Sequence, residues 1–213
     1  MPELLTRCPA GSIDAVFVSH GHPDHCADLN PLLRARWLGE EAVPPLRVFA
    51  PAGALDAVLA LDRPGMLDDA IDLHEFDPGE RWEVDGLTVE TRLLPHWTPN
   101  AGVRISGGEV AVAYSGDCGP TDALAELATG ADLFVCDSSY VDDPPEDSVG
   151  LLGTARSAGI QAARAGVRTL LLTHLMPGTD PLDAQRAAER QFAGRVAVAQ
   201  RGTELGSVEA ACR

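Results

Sequence analysis

Ser19-His20-Gly21-His22-Pro23-Asp24-His25 sets three imidazoles and one carboxylate within six positions, directly after the largely apolar run Ile13-Asp14-Ala15-Val16-Phe17-Val18. A strand that ends in a tight loop aims such side chains at one point. His20 and His22 lie two apart, so on an extended segment they share a face. Asp24 and His25 follow in the turn and can face a second position a few ångströms away. Histidine and aspartate together suit zinc, manganese or iron(II) better than calcium or magnesium. Read alone, the stretch is also compatible with a polar loop rich in histidine. Against that stands the count: the chain holds six histidines, and half of them are here.

Outward from this loop, strand-like and helix-like segments alternate. Residues 13–19 read as a buried strand, and 27–38 as a helix with Leu29, Leu32, Leu33 and Trp37 at helical spacing. Leu46 to Ala50 reads as a strand after Pro44-Pro45, and residues 54–61 as a helix. Residues 71–76, 81–84 and 87–94 read as strands parted by the turns Asp77-Pro78-Gly79 and Asp85-Gly86. A hairpin about Gly107-Gly108 follows. Thr121 is placed to cap a helix through Ala128. Residues 133–136 read as a strand, and the acidic, Pro-rich residues 138–149 as a surface loop. An Ala-rich helix over 154–165 precedes the apolar strand 167–173. Asp180-Pro181 starts a helix running to about Phe192, and 196–199 is a last strand. Hairpins mixed with β-α-β units predict sheets covered by helices, an α/β fold. No repeat or linker divides the chain, so residues 1–213 read as one domain, with 204–213 as a frayed tail.

Three more polar residues stand at strand ends as His20 does. His96 follows the strand 87–94, Asp117 follows 109–115 within Tyr114-Ser115-Gly116-Asp117, and His174 follows 167–173. Sheets of this kind gather their sites at strand ends. A lone histidine after a strand is ordinarily a hydrogen-bonded loop residue, and a lone Gly-Asp ordinarily a turn. Four strand ends repeating one pattern argue for convergence on a metal site.

Composition narrows the function. The 213 residues are 45% hydrophobic and 23% charged, ordinary for a globular chain with one good core. Net charge is −16 and every basic residue is arginine. So acidic a chain gains little from general attraction to a polyanion, which predicts no bulk nucleic acid among its partners. Five widely spaced cysteines, with no C-x-x-C, are not a disulfide framework and fit a reducing compartment. No apolar run approaches the roughly 20 residues needed to cross a bilayer, and no secretory signal precedes the first strand. The expectation is a cytoplasmic protein without a membrane partner.

His20-x-His22-x-Asp24-His25, followed by His96, Asp117 and His174, resembles the metallo-β-lactamase fold superfamily, in particular the branch with ribonuclease Z and related phosphodiesterases. The resemblance runs from residue 13 to about 200. It implies a four-layer αβ/βα sandwich with two metals side by side. On that resemblance His20, His22 and His96 hold one metal, Asp24, His25 and His174 the other, and Asp117 bridges them. Zinc is the first expectation, with manganese or iron(II) as alternatives. Two divalent ions about 3.5–4 Å apart lower the pKa of water to about 7 and hold both oxygens of an in-line displacement. Asp24 is the candidate catalytic residue, to orient or deprotonate the attacking water.

An aspartate at the bridging position favours phosphodiester chemistry. Asp117 follows His96 by only 21 positions, so the tRNA-gripping arm that many ribonuclease Z members carry there is absent. Asp137-Ser138-Ser139-Tyr140 stands where their H-E-A-T motif would fall. With the acidic surface, these features predict no tRNA partner and a small-molecule phosphodiester substrate, such as a 3′,5′-cyclic nucleotide. Hydrolysis of a carboxylic ester, thioester or lactone at the same metals is the alternative. A metal-binding member without catalysis is a third reading. It is motivated by the short stretch Met1–Ser12, where the family places several strands. A first sheet short of those strands predicts an uncovered edge or face and hence a homo-oligomer.

The remaining candidates carry weaker signals. His74 is expected to face solvent, and Trp37 and Trp82 to sit in the core. Trp97 adjoins His96 and is a candidate pocket residue. Cys118, beside Asp117, is expected to point away from the metals, and Cys26 to pack. Ser138, Ser139 and Tyr140 are candidates to reach a leaving group, and Asp137 to support a ligand histidine.

Overall fold

The computed structural model describes residues 2–39 and 42–205. The chain opens with the short helix α1 (Pro2–Leu5) and a 3-10 turn at Ala10–Ser12, then enters β1 (Ala15–Phe17). Helices α2 (Pro23–Cys26) and α3 (Leu29–Trp37) lead to β2 (Leu46–Pro51), α4 (Asp56–Leu59) and β3 (Ile71–Phe76). These three strands form one parallel sheet in the order β1-β2-β3, with Val16 beside Val48 and Val48 beside Leu73. β2 is central, and all its residues but Arg47 are buried. A parallel strand covered on both faces needs such a run rather than an alternation.

The second sheet has seven strands in the order β10-β9-β8-β7-β6-β5-β4. Its antiparallel part is β4 (Arg81–Val84), β5 (Leu87–Leu94), β6 (Asn100–Gly107) and β7 (Val110–Tyr114), joined by short turns. Helix α5 (Asp122–Ala128) then crosses to β8 (Leu133–Asp137), α6 (Ala155–Ala165) to β9 (Thr169–Thr173), and α7 (Pro181–Glu189) to β10 (Arg195–Val198). These crossovers make β7 to β10 parallel.

Three apolar clusters define the layers. Leu29, Leu32 and Leu33 of α3 and Val58 of α4 pack on Leu46, Val48 and Leu73 of the small sheet. Leu124, Ala158, Ala162, Ala184 and Ala187 of α5, α6 and α7 pack on Phe134, Leu170 and Leu172 of the large one. Between the sheets lie Phe49 and Phe76 from one and Val84 and Ala101 from the other, with Phe17 and Trp82. Val48 faces the helices and its neighbour Phe49 the opposite sheet, as the period of two requires. The order is helix, sheet, sheet, helix: the expected αβ/βα sandwich.

Local chemistry explains the boundaries. The segment 27–38 is not one helix from its start; Pro23 nucleates its own short turn and Leu29 begins α3. Trp37, expected in the core, is 43% exposed, because it ends α3 past the last turn that meets the sheet. Trp82 does pack in the inter-sheet layer, at 4.8 Å from the Phe76 ring. His74 is exposed as expected and stacks on Phe49 at 4.8 Å. Thr121 is the residue before α5, but its side chain makes no capping bond. Among the described residues, no helix is long and apolar enough to cross a membrane. The expected tail at 204–213 lies, from residue 206 on, outside the described residues.

Helix α6 has a full capping box: Thr154 Oγ1 accepts from the Ser157 N–H, and Ser157 Oγ accepts from the Thr154 N–H, each at 2.9 Å. Thr154→Ala is expected to lower stability by about 1 kcal/mol. An urea midpoint shifted at constant slope is the check; an unchanged midpoint would show that the cap contributes nothing.

Candidate metal centre

All the candidate residues stand at one end of the sandwich, where strands of both sheets stop. The loop from Ser19 to His25 leaves β1 in the small sheet; His96, Asp117 and His174 leave β5, β7 and β9 in the large one. The two sheets are tied there by the Ala101 N–H, which donates to the Ser19 carbonyl at 2.8 Å. His22 is the extended residue before α2, and Pro23 takes the first helical position, where its missing N–H costs nothing. That turn lifts Asp24 and His25 away from His20 and His22. Before Asp117, Gly116 adopts φ +58 in close contact with Asn100. Asn100 is fully buried, and its side-chain amide donates to the carbonyls of Ser115 (3.0 Å) and Asp117 (2.8 Å).

The structure brings the seven side chains into two groups that share Asp117. His20, His22, His96 and Asp117 form one; Asp24, His25, His174 and Asp117 form the other, with the offered atoms of each within 4.8 Å of one another. His22 Nδ1 lies 3.1 Å from both His20 Nε2 and His96 Nε2. Asp117 Oδ2 lies 3.8 and 3.9 Å from those two Nε2 atoms. In the second group His25 Nε2 is 3.1 Å from Asp117 Oδ1, and His174 Nε2 is 3.3 Å from both Asp117 Oδ2 and Asp24 Oδ2. Ligands about 2.0–2.1 Å from a tetrahedral zinc stand roughly 3.3 Å apart, close to these spacings.

Hydrogen bonds on the far side of the rings hold them in place, and for His96 the contact fixes the tautomer. His96 Nδ1 is 3.1 Å from the Leu151 carbonyl, which only accepts, so the proton is on Nδ1 and Nε2 presents a lone pair. Ser19 Oγ stands 3.1 Å from His20 Nδ1, and Tyr114 Oη 3.3 Å from His25 Nδ1. His25 Nε2 and Asp117 Oδ1 are buried and stand 3.1 Å apart. Imidazole nitrogens and carboxylate oxygens aimed at one point favour a cation among them. The donor set therefore fits divalent metal ions, and both groups are candidate sites for one.

Burial drives the electrostatics. It pushes His20 down to about 3, reinforced by His25 and opposed by Asp117, and it lowers His96 as well. Burial thus favours the neutral form of both rings, the form that binds metal. Burial acts the same way on His25, but the Asp117 carboxylate outweighs it and the net shift is upward. For Asp117 burial raises the pKa, while His25, His174 and His20 pull it lower overall. Asp24 is also net lowered: against burial stand a bond to its own backbone N–H and the charge of His25.

Beyond the seven, sequence reasoning gave Ser19, Asn100 and Tyr114 no role. Ser19 and Tyr114 were visible as hydroxyl residues beside the motifs; the Leu151 carbonyl leaves no mark in a sequence. Cys118 Sγ turns to the Gly119 carbonyl at 2.9 Å and belongs to neither group. Cys26 is buried against the His22 carbonyl. Ser138 and Ser139 are fully buried, so neither is placed to touch a leaving group. Trp97, 53% exposed, has its ring 5.0 Å from that of His96. A cleft of about 410 Å³, lined by Phe17, Asp24, His25, Tyr114 and His174, opens over the second group.

Comparison with known proteins places this geometry in context. The profile of the beta-lactamase superfamily domain matches residues 2–175. The uncharacterized protein Rv1339 of Mycobacterium tuberculosis is 38% identical over 190 residues, covering 85% of this chain and 68% of that protein. A ribonuclease Z of Mycobacterium bovis is 31% identical over 228 residues, covering 94% of this chain and 80% of the relative. The crystal structure of the metallo-β-lactamase fold protein YhfI from Bacillus subtilis superposes with a TM-score of 0.82 at 26% identity, covering 94% of this chain and 80% of that one. The short form of human tRNase Z gives 0.70 at 20% identity, covering 93% and 82%. These matches correct the expectation that tRNA and other nucleic acids are excluded as partners. A relative named as a ribonuclease matches along nearly the whole chain, so neither the short His96–Asp117 segment nor the net charge of −16 excludes such a partner. Net charge sums over the whole surface, whereas a nucleic acid is gripped by local contacts.

Proposed function

We propose that this chain, which belongs to the β-lactamase superfamily, hydrolyses phosphodiesters at two divalent metal ions. The chain is a metal-dependent hydrolase; the bond it cuts and the ions it uses are the substance of the proposal. His20, His22 and His96 would hold one ion, Asp24, His25 and His174 the other, and Asp117 both, with zinc first among the candidates and manganese or iron(II) after it. The observation that carries the reading is the shared carboxylate: Asp117 reaches both groups from one buried side chain. When bound, such a pair supplies Lewis acidity and a water of lowered pKa at neutral pH.

The chain's own residues then have distinct tasks. Asp117 would offset part of the charge of the cations that the two groups hold. The buried imidazoles exclude bulk water from that side, while the cleft beside Phe17 and Tyr114 leaves the other side open to substrate. Asp24 has its side chain 63% exposed at the rim, 3.3 Å from His174 and 3.4 Å from His25. At the rim of the cleft it is placed to orient or deprotonate the attacking water. Relatives named as ribonucleases support a phosphorus–oxygen bond as the target. A 3′,5′-cyclic nucleotide is the small substrate of that class to try first.

The test loads the full chain with zinc, manganese or cobalt. It is then offered bis(p-nitrophenyl) phosphate, cyclic AMP, a short RNA and p-nitrophenyl acetate. Turnover of a phosphodiester, lost on chelation and restored by metal, is expected. Turnover of the acetate alone, or of nothing with any ion, would overturn the proposal.

A further inference from the structure

We propose that Ser139 is a positioning residue that fixes the ring of His174 for its cation, and that Asp137 holds Ser139 in that role. The inference rests on the metal-centre reading above and goes beyond it to a residue that touches no ion.

Asp137 ends β8 and is fully buried. Its carboxylate accepts four hydrogen bonds: from the N–H groups of Cys118 (3.0 Å), Gly153 (2.9 Å) and Ser139 (2.9 Å), and from Ser139 Oγ (2.6 Å). Three backbone donors from three chain segments leave the group no freedom to turn. A carboxylate so placed only accepts, so the Ser139 hydroxyl proton is committed to it. What remains on Ser139 Oγ is acceptor capacity, and His174 Nδ1 lies 2.8 Å away. The proton of that contact therefore comes from His174 Nδ1. Nε2 is left to face Asp24 and Asp117, where a cation would sit.

The hydroxyl sits on one side of the ring and the two carboxylates on the other, so the contact at Nδ1 keeps Nε2 aimed at them. His174 is also held in the left-handed region, φ +62, which a non-glycine residue adopts only when its surroundings enforce it. The backbone of the same loop is pinned beside it, since the Met176 N–H donates to the Ser139 carbonyl at 3.1 Å. Ser139 thus meets His174 both at the ring and through the main chain two residues on. Outer partners of metal-bound histidines commonly change metal affinity 10–100-fold when lost.

Two measurements test this on the full chain. Long-range ¹H–¹⁵N NMR of the wild type is expected to show a proton on His174 Nδ1 with and without zinc, and metal-free Ser139→Ala a bare Nδ1. Zinc calorimetry of Ser139→Ala is expected to show one of the two binding steps weakened 10–100-fold and the other unchanged within about twofold. Ser139→Thr, which keeps the hydroxyl, should restore the weakened step. A bare Nδ1 in the wild type overturns the inference, and so do wild-type affinities for both zinc ions in a folded Ser139→Ala. Should Ser139→Ala fail to fold, the wild-type spectrum alone decides. A wild type that takes up no zinc sinks the metal reading instead, and the Nδ1 measurement on metal-free protein keeps the two failures apart.

Discussion

Asp117→Ala is expected to abolish phosphodiester turnover, with kcat/KM falling by about 10³-fold or more, and to leave the chain unable to retain a pair of metal ions. The carboxylate is the one group that both sets of ligands share. Its removal strips each set of an anionic donor at once, and Lewis-acid stabilisation of the kind supplied there is worth several kcal/mol. At 1.36 kcal/mol per tenfold, that is about three decades. The side chain is only 5% exposed, so water does not take its place freely. The loss is also electrostatic within the protein: Asp117 raises His25 and offsets the burial of His20 and His96. The check is metal content by elemental analysis alongside kinetics. A variant that keeps two ions per chain and more than a tenth of the activity would show that Asp117 does not bridge.

Gly116→Ala is expected to cost about 3–8 kcal/mol and to take metal binding with it, whereas Gly108→Ala should cost about 1–2 kcal/mol and leave binding intact. The two glycines have matching backbones, φ +58 and +59, so the left-handed penalty of about 1–2 kcal/mol is common to both. They differ in what a Cβ would meet. At Gly108 nothing stands within 4 Å; at Gly116 an added Cβ would overlap Asn100 Oδ1 and lie 2.9 Å from the Ser19 Cβ. Asn100 is fully buried and holds the carbonyls on both sides of Gly116. Overpacking of about 1–3 kcal/mol and disturbed buried hydrogen bonds of similar size add to the backbone term. Thermal melts of the pair decide it: equal shifts would mean that Asn100 yields easily and that the crowding does not matter.

Much of this molecule was legible in its sequence, and the reasons are local. His20 to His25 announce themselves because a metal loop needs its ligands close in the chain, and β2 because a strand buried on both faces is nearly all apolar. Hairpins mixed with strand–helix–strand units read as sheets covered by helices, and the resemblance to the family supplied the four-layer order. Less legible was anything that depends on distant partners. The hairpin about Gly107-Gly108 was legible but the task of Asn100 at the start of β6 was not, since its side chain serves the Asp117 turn from inside. Trp37 was misplaced because helical spacing says which side a residue shares and not how far the neighbouring sheet extends. Asp137 and Ser139 carry no spacing signal, since they act through one ring 35 positions away. The exclusion of nucleic acid failed for a related reason, a whole-chain sum having been used where contact geometry decides.

The loops that carry the candidate ligands issue from separate sheets, and besides the inter-sheet layer they are tied by the Ala101–Ser19 hydrogen bond and the Tyr114–His25 contact. A pair of ions there would act as a rivet through two plates. By mass action a ligand present at 1,000 times its dissociation constant adds about 4 kcal/mol to folding. Melting temperature should therefore climb with free metal, and chelation should loosen this rim of the sandwich before the helix-covered faces give way.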